Sequence, residues 1–147
     1  MTSATSQHDD SSRIDTRLRI SALWIAVLFV FAYVDLFSLY RPDFRADIEA
    51  GTVYAFDINQ TFLFLTTLYV IIPSLMVYLT LIMRPPLNRV VNIVVAAAYG
   101  LTIIGSAVGE WNYFILGSVV EAILLTLVIH HAWTWPRRTT QLRPSLH

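Results

Sequence analysis

Glu121 stands near the middle of Trp111–Trp135, a segment otherwise almost wholly apolar and long enough to cross a bilayer. A membrane span needs about 20 mostly apolar residues. A carboxylate at such depth is expensive unless it faces other helices or a water-filled cavity. Counting from Asn112 along a helix puts Glu121 about 13–14 Å from the end of its span. Gly117 and Ser118 share its face. A second acid, Asp35, precedes Tyr40 and falls about 7–8 Å from the end of its own span, with Ser38 one turn on. Asn59 and Gln60 open a further span on the same side. Glu121, Asp35, Ser118, Asn59 and Gln60 therefore form the candidate ligand-binding set, able to line one outward-opening polar cavity. Asp35 is shallow enough to read first as a wet interfacial acid bonded to a helix end. Glu121 is deep and is expected to look into a bundle. No Arg lies at its depth in any span, so a neutral carboxyl donating to a hydroxyl or carbonyl is expected rather than an ion pair.

Other residue types point away from chemistry. Asn88, Arg89, Asn92, His130 and His131 form a second polar set at the opposite side. Adjacent histidines on a helix project about 100° apart and do not converge on one ion, so no metal and no haem is expected. An aromatic set (Phe29, Phe31, Tyr33, Phe37, Phe62, Phe64, Tyr69, Tyr78, Tyr99, Tyr113, Phe114) could line a pocket for an apolar ligand but serves equally for packing. The chain has no Cys, which excludes disulfides and thiolate sites. Nucleophile–base pairs, cofactor fingerprints and Gly-rich phosphate loops are missing, so no enzyme and no cofactor is expected. The formal net charge is zero, which argues against a nucleic-acid partner.

These residues need elements to hold them. Of 147 residues, 56% are hydrophobic, above the soluble average, and they gather into four long runs. The fold class is all-α: a polytopic membrane protein, a four-transmembrane-helix bundle with a short interfacial helix in the first outer loop. The transmembrane domain covers 18–135, with spans near 20–40, 58–83, 88–108 and 112–135. Residues 1–17, rich in Ser, Thr and Asp, read as a disordered tail, and 136–147 as a C-terminal tail. In the first loop, Pro42 and Asp43 suit a helix start and Gly51 a helix stop. Asp57 with Gln60 reads as a capping box for the second span. Pro73 inside that span frees the carbonyl near Tyr69 and should bend the helix. The third span is rich in small residues, Ala96, Gly100 and Ala107 among them, which permit close helix contact and a homo-oligomer.

Every basic residue is Arg. With both ends of the chain inside, eight (Arg13, Arg17, Arg19, Arg84, Arg89, Arg137, Arg138, Arg143) are cytoplasmic and two (Arg41, Arg45) are not. This bias predicts a multi-pass protein of the cell inner membrane with cytoplasmic termini.

The stretch LWIAVLFVFAYVDLFSLYRPDF, the Pro-containing second span, NRVVNIVVA and the closing HHAWTW resemble a bacterial family of small four-span membrane proteins catalogued as a domain of unknown function. The resemblance covers about 20–135 and implies the four-helix architecture without an activity. Asp35-Leu36 followed by a Pro, and the Pro of the second span, are also similar to the four-helix sterol-isomerase and sigma-2-receptor superfamily. That superfamily carries an acid in its second span, where this chain reads TFLFLTTLYV. Three functions follow from the residues: a binding protein for a small apolar or lipid-like ligand anchored by Glu121, an oligomeric transporter or channel with Glu121 as a proton or cation site, and an accessory subunit. The lipid bilayer is the partner common to all three.

Overall fold

The computed structural model describes the backbone over 2–135 and side chains over 14–135. The tail expected at 136–147 lies outside the described residues. Helix α1 runs Thr2–Ser38, and its helical backbone extends into the stretch read from composition as a disordered tail. A short helix α2, Pro42–Glu49, follows. Three long helices complete the chain: α3 Gln60–Ile82, α4 Pro85–Ser106 and α5 Asn112–Trp133. Four of the helices are long and apolar enough to cross a membrane, α1 contributing Ile14–Ser38. Large side chains such as Leu63, Phe64, Leu101, Ile104 and Leu116 stay exposed on them. A water-soluble fold would bury such contiguous apolar surface; a bilayer accepts it.

The local reasons are readable. Pro42 begins α2 and Pro85 begins α4, where a missing N–H costs nothing because first-turn donors have no partner within the helix. Gly51 and Gly109 take positive φ, each 84°, a conformation open to glycine, and turn the chain after α2 and after α4. Between α2 and α3 lies an element the sequence did not suggest: strands β1, Thr52–Val53, and β2, Phe56–Asp57, paired antiparallel with Thr52 opposite Asp57. That hairpin corrects the capping expectation. Asp57 is committed to β2, and Asn59 caps α3 instead, its side chain accepting from the Phe62 N–H at 2.9 Å.

Helix α5 packs between α1 and α4, and α3 packs on the other flank of α1. The core fills the half of the bundle nearest the chain ends: Ile20, Trp24, Met76, Ala96, Tyr99, Leu125, Val128, Ala132 and Trp135. Ala96 is fully buried in this core, so that part of the small-residue face of α4 serves the chain's own bundle. A polar network runs through the same half. Asn92 Oδ1 accepts from Trp24 Nε1 at 2.7 Å and from Thr80 Oγ1 at 3.2 Å. Asn92 Nδ2 donates to Asn88 Oδ1, and Asn88 Nδ2 to the Thr80 carbonyl. Asn88, Asn92 and Thr80 are completely buried with these partners made, the condition under which polar groups can sit in a core at little cost. Arg17 reaches across to the C-terminus of α3, donating to the carbonyls of Leu81 and Met83 at 2.7 and 3.0 Å. It satisfies end carbonyls that have no donor of their own and places a cation at the negative pole of that helix.

Pro73 lies within α3, which is helical from end to end. A proline cannot donate to the carbonyl four residues back, here Tyr69. The Tyr99 hydroxyl of α4 donates to that carbonyl instead, at 2.5 Å.

Candidate functional site

The other half of the bundle, toward α2 and the hairpin, is less filled. A cavity of about 280 Å³ lies there, and all four spans reach it. From α1 come Phe31, Val34 and Asp35; from α3, Tyr69; from α4, Thr102, Ile103 and Ser106; from α5, Phe114, Ser118 and Glu121. Tyr54, at the turn of the hairpin, closes the remaining side.

Glu121 is 4% exposed and Ser118 7%. No hydrogen bond to the Glu121 carboxyl is found among the described residues, so the hydroxyl or carbonyl acceptor expected for it is not among them. Of the five hydroxyls around the cavity, three are spent elsewhere, Ser106 on the Ile103 carbonyl at 3.0 Å. Tyr69 and Thr102 bond each other at 2.6 Å, and Thr102 also donates to the Tyr99 carbonyl at 2.8 Å. Asp35 stands at the cavity's lip. It lines this space and also a larger hollow, about 590 Å³, bounded by Leu36, Leu39, Phe44, Val53 and Phe62. Tyr54 borders both hollows as well. The two carboxyls are close enough to interact electrostatically.

The sequence-derived set is thus divided. Asp35, Ser118 and Glu121 share one cavity. Asn59 and Gln60 do not reach it: they line a separate shallow groove with Leu63, Phe64 and Thr67, and the Asn59 side chain is occupied by its cap. The aromatic set divides too. Phe31, Tyr69 and Phe114 line the cavity, whereas Phe29, Phe64 and Tyr78 are exposed on the outside of the bundle. His130 and His131 sit at the far end of α5 with ring centres 5.7 Å apart and edge-on. Among the described residues no group of three or more His, Asp or Glu is placed to hold a metal ion.

A family model gives this arrangement its relatives. The Family of unknown function (DUF6326) matches residues 11–141, nearly the whole chain. The chain belongs to that family. No curated protein and no solved structure matches it. In this DUF6326 chain, then, the cavity must be interpreted from its own residues.

Above the cavity is a lid whose ties sequence reading missed. Arg41, just past α1, pairs with Glu110, in the turn before α5, at 2.5 Å; their side chains are only 11% and 10% exposed. Arg41 also holds Asp43 at 2.7 Å and lies over the Trp111 ring, 4.7 Å from its centre. The hydrogen bond to Asp43 first, and Glu110 after it, hold the Arg41 guanidinium even further above the usual range than an ordinary arginine. The same bond draws the Asp43 carboxyl below its ordinary value. Ser38 completes the rim, bonded to Tyr113 at 2.8 Å. Tyr54 takes φ 53°, the left-handed region where a bulky side chain is rare. Burial, then the Glu110 charge, pushes its phenol up from 10 to about 12. A lone Arg and a lone Glu at the ends of different spans were the available signal for the pair, but only the packing of α1 beside α5 makes them neighbours.

Proposed function

We propose that this integral membrane protein binds a small apolar or lipid-like ligand bearing one hydrogen-bonding or cationic group, held in the four-helix cavity and anchored by Glu121. One observation carries the reading: a glutamate only 4% exposed lines a cavity, and its carboxyl has no hydrogen-bond partner among the described residues. Such a group costs free energy unless something meets it, and such sites are the default place to look for a ligand. Phe31, Tyr69, Phe114 and Ile103 offer the apolar body its contacts. Asp35 and Tyr54, bordering both hollows, mark the route in. Beyond Tyr69 and Glu121 the filled core offers no continuation, which favours a pocket with one entrance over a conducting path. The Arg asymmetry supports a bacterial inner membrane with the chain ends cytoplasmic; Arg41, on the outer side, has its charge already met by Glu110 and Asp43.

The experiment is mass spectrometry of small molecules that co-purify in mild detergent. Wild-type protein should carry an apolar molecule that Glu121→Gln and Glu121→Leu lose. Equal recovery from all three would refute the anchor. Proton flux through wild-type protein in liposomes, abolished by Glu121→Gln, would replace this reading with a transporter.

A further inference from the structure

A second groove, of about 640 Å³, lies at the opposite end of the bundle between the start of α4 and the end of α5. Its walls include Pro86, Arg89, Val90, Ile93, Trp133 and Trp135. They divide by chemistry. Val90 and Ile93 run along the span as an apolar track, while Arg89 and the two tryptophans gather at the mouth, where the helices reach the interface.

Arg89 is half-buried, and its guanidinium lies over Trp133, 4.8 Å from the ring centre. Neither ion pair among the described residues includes it. Asp15 is the one acid described at this end; it is exposed and makes no pair with Arg89. Trp135 is buried, with the Arg17 guanidinium over its ring, 5.9 Å from the centre, so it serves as a wall of the groove. The start of α4 adds the positive end of a helix dipole. A cation and a helix N-terminus thus flank one apolar track. The chain's own tail does not complement them, since 136–147 holds three Arg and no Asp or Glu.

We propose that this groove binds one anionic phospholipid, with the phosphate at Arg89 and an acyl chain along Val90 and Ile93. The site is independent of the Glu121 cavity. Arginine at the membrane surface attracts anionic headgroups, and tryptophan belongs at the same level.

The test is native mass spectrometry of the full chain in micelles holding equal phosphatidylglycerol and phosphatidylcholine. Phosphatidylglycerol adducts should exceed phosphatidylcholine adducts by about five-fold, the expectation for one well-placed arginine. Arg89→Gln should bring the two to parity. Arg84→Gln, which alters an exposed arginine outside the groove, should keep the preference. Parity in wild-type protein, or equal loss in both variants, would overturn the site in favour of none or of diffuse surface charge. A second measurement covers an Arg89 variant that does not fold. In Trp111→Phe protein, phosphatidylglycerol with brominated chains, diluted into phosphatidylcholine, should quench tryptophan more than the same amount of brominated phosphatidylcholine. Equal quenching would overturn the site.

Discussion

Replacing Tyr99 by Phe tests how α3 tolerates its proline. The substitution keeps the ring, its tilted contact with Tyr69 at 4.5 Å and its edge contact with Trp24, and deletes one hydroxyl. That hydroxyl is the donor for the Tyr69 carbonyl, which Pro73 cannot serve. Interhelical hydrogen bonds in membranes contribute about 0.6 kcal/mol on average and at most about 1.7. Leaving an acceptor unpaired costs about 1–3 kcal/mol. Tyr99→Phe should therefore destabilise by about 2 kcal/mol, above the membrane average because it leaves a carbonyl that Pro73 cannot serve. In a Pro73→Ala background the restored N–H reaches the same carbonyl, and the cost should fall to about 0.5 kcal/mol, near the membrane average. The resulting coupling of about 1.5 kcal/mol is well within what double-mutant cycles resolve. Equilibrium unfolding in mixed detergent micelles, read by helical circular dichroism, supplies the four stabilities. Additivity, with Tyr99→Phe costing the same in both backgrounds, would refute the exchange of one donor for another.

Four further expectations use the same unfolding assay. Glu121→Leu should stabilise the chain by about 1–2 kcal/mol, because it removes a buried polar group that no residue satisfies; a loss of stability would mean that a protein partner exists. Arg41→Met should cost about 2–4 kcal/mol by stranding Glu110, and Glu110→Gln less, because Arg41 keeps Asp43; the reverse order would overturn the ranking. Tyr54 holds its proton to about 12 against an ordinary 10, so its contribution is complete below pH 10 and is lost as pH rises through 12; the stability difference between wild type and Tyr54→Phe should stay flat until that window. Gly117→Ala should cost about 1–3 kcal/mol, since the added methyl overlaps the Val34 side chain where α5 crosses α1.

The spans were legible because their lengths and the charges that punctuate them follow from the bilayer alone. Glu121 was legible for the same reason: a carboxylate in hydrocarbon demands an account. The inward faces of the helices were not. In lipid both sides of a span are apolar, so the pattern that separates inside from outside in a soluble helix fades. Hence Tyr69 and Thr102 stood out no more than Tyr78, although only the first two line the cavity. Asn59 and Asp57 show a different limit. Both can cap a helix, and the choice fell to a two-residue hairpin too short to leave an alternating signature. The Arg41–Glu110 pair needed knowledge of which loops meet, and that is a property of packing order.

The two halves of the bundle are built on opposite terms. Near the chain ends, Trp24, Thr80, Asn88 and Asn92 bond one another in complete burial, and Arg17 fastens the end of α3. No water competes for those bonds, so this half should be the last to open. Near the hairpin, the cavity leaves Glu121 unmet, and the segments beside it rest on few ties: one ion pair between two turns, and a tyrosine in a costly backbone conformation. Local opening draws on the least stable part of a structure. Movement should therefore begin at Tyr54 and Arg41 and expose Asp35 before Glu121, while the polar network holds the other end closed. On the proposed reading, that order of opening admits a ligand at the hairpin end and stops it at the polar network, as a pocket requires and a conducting pore does not.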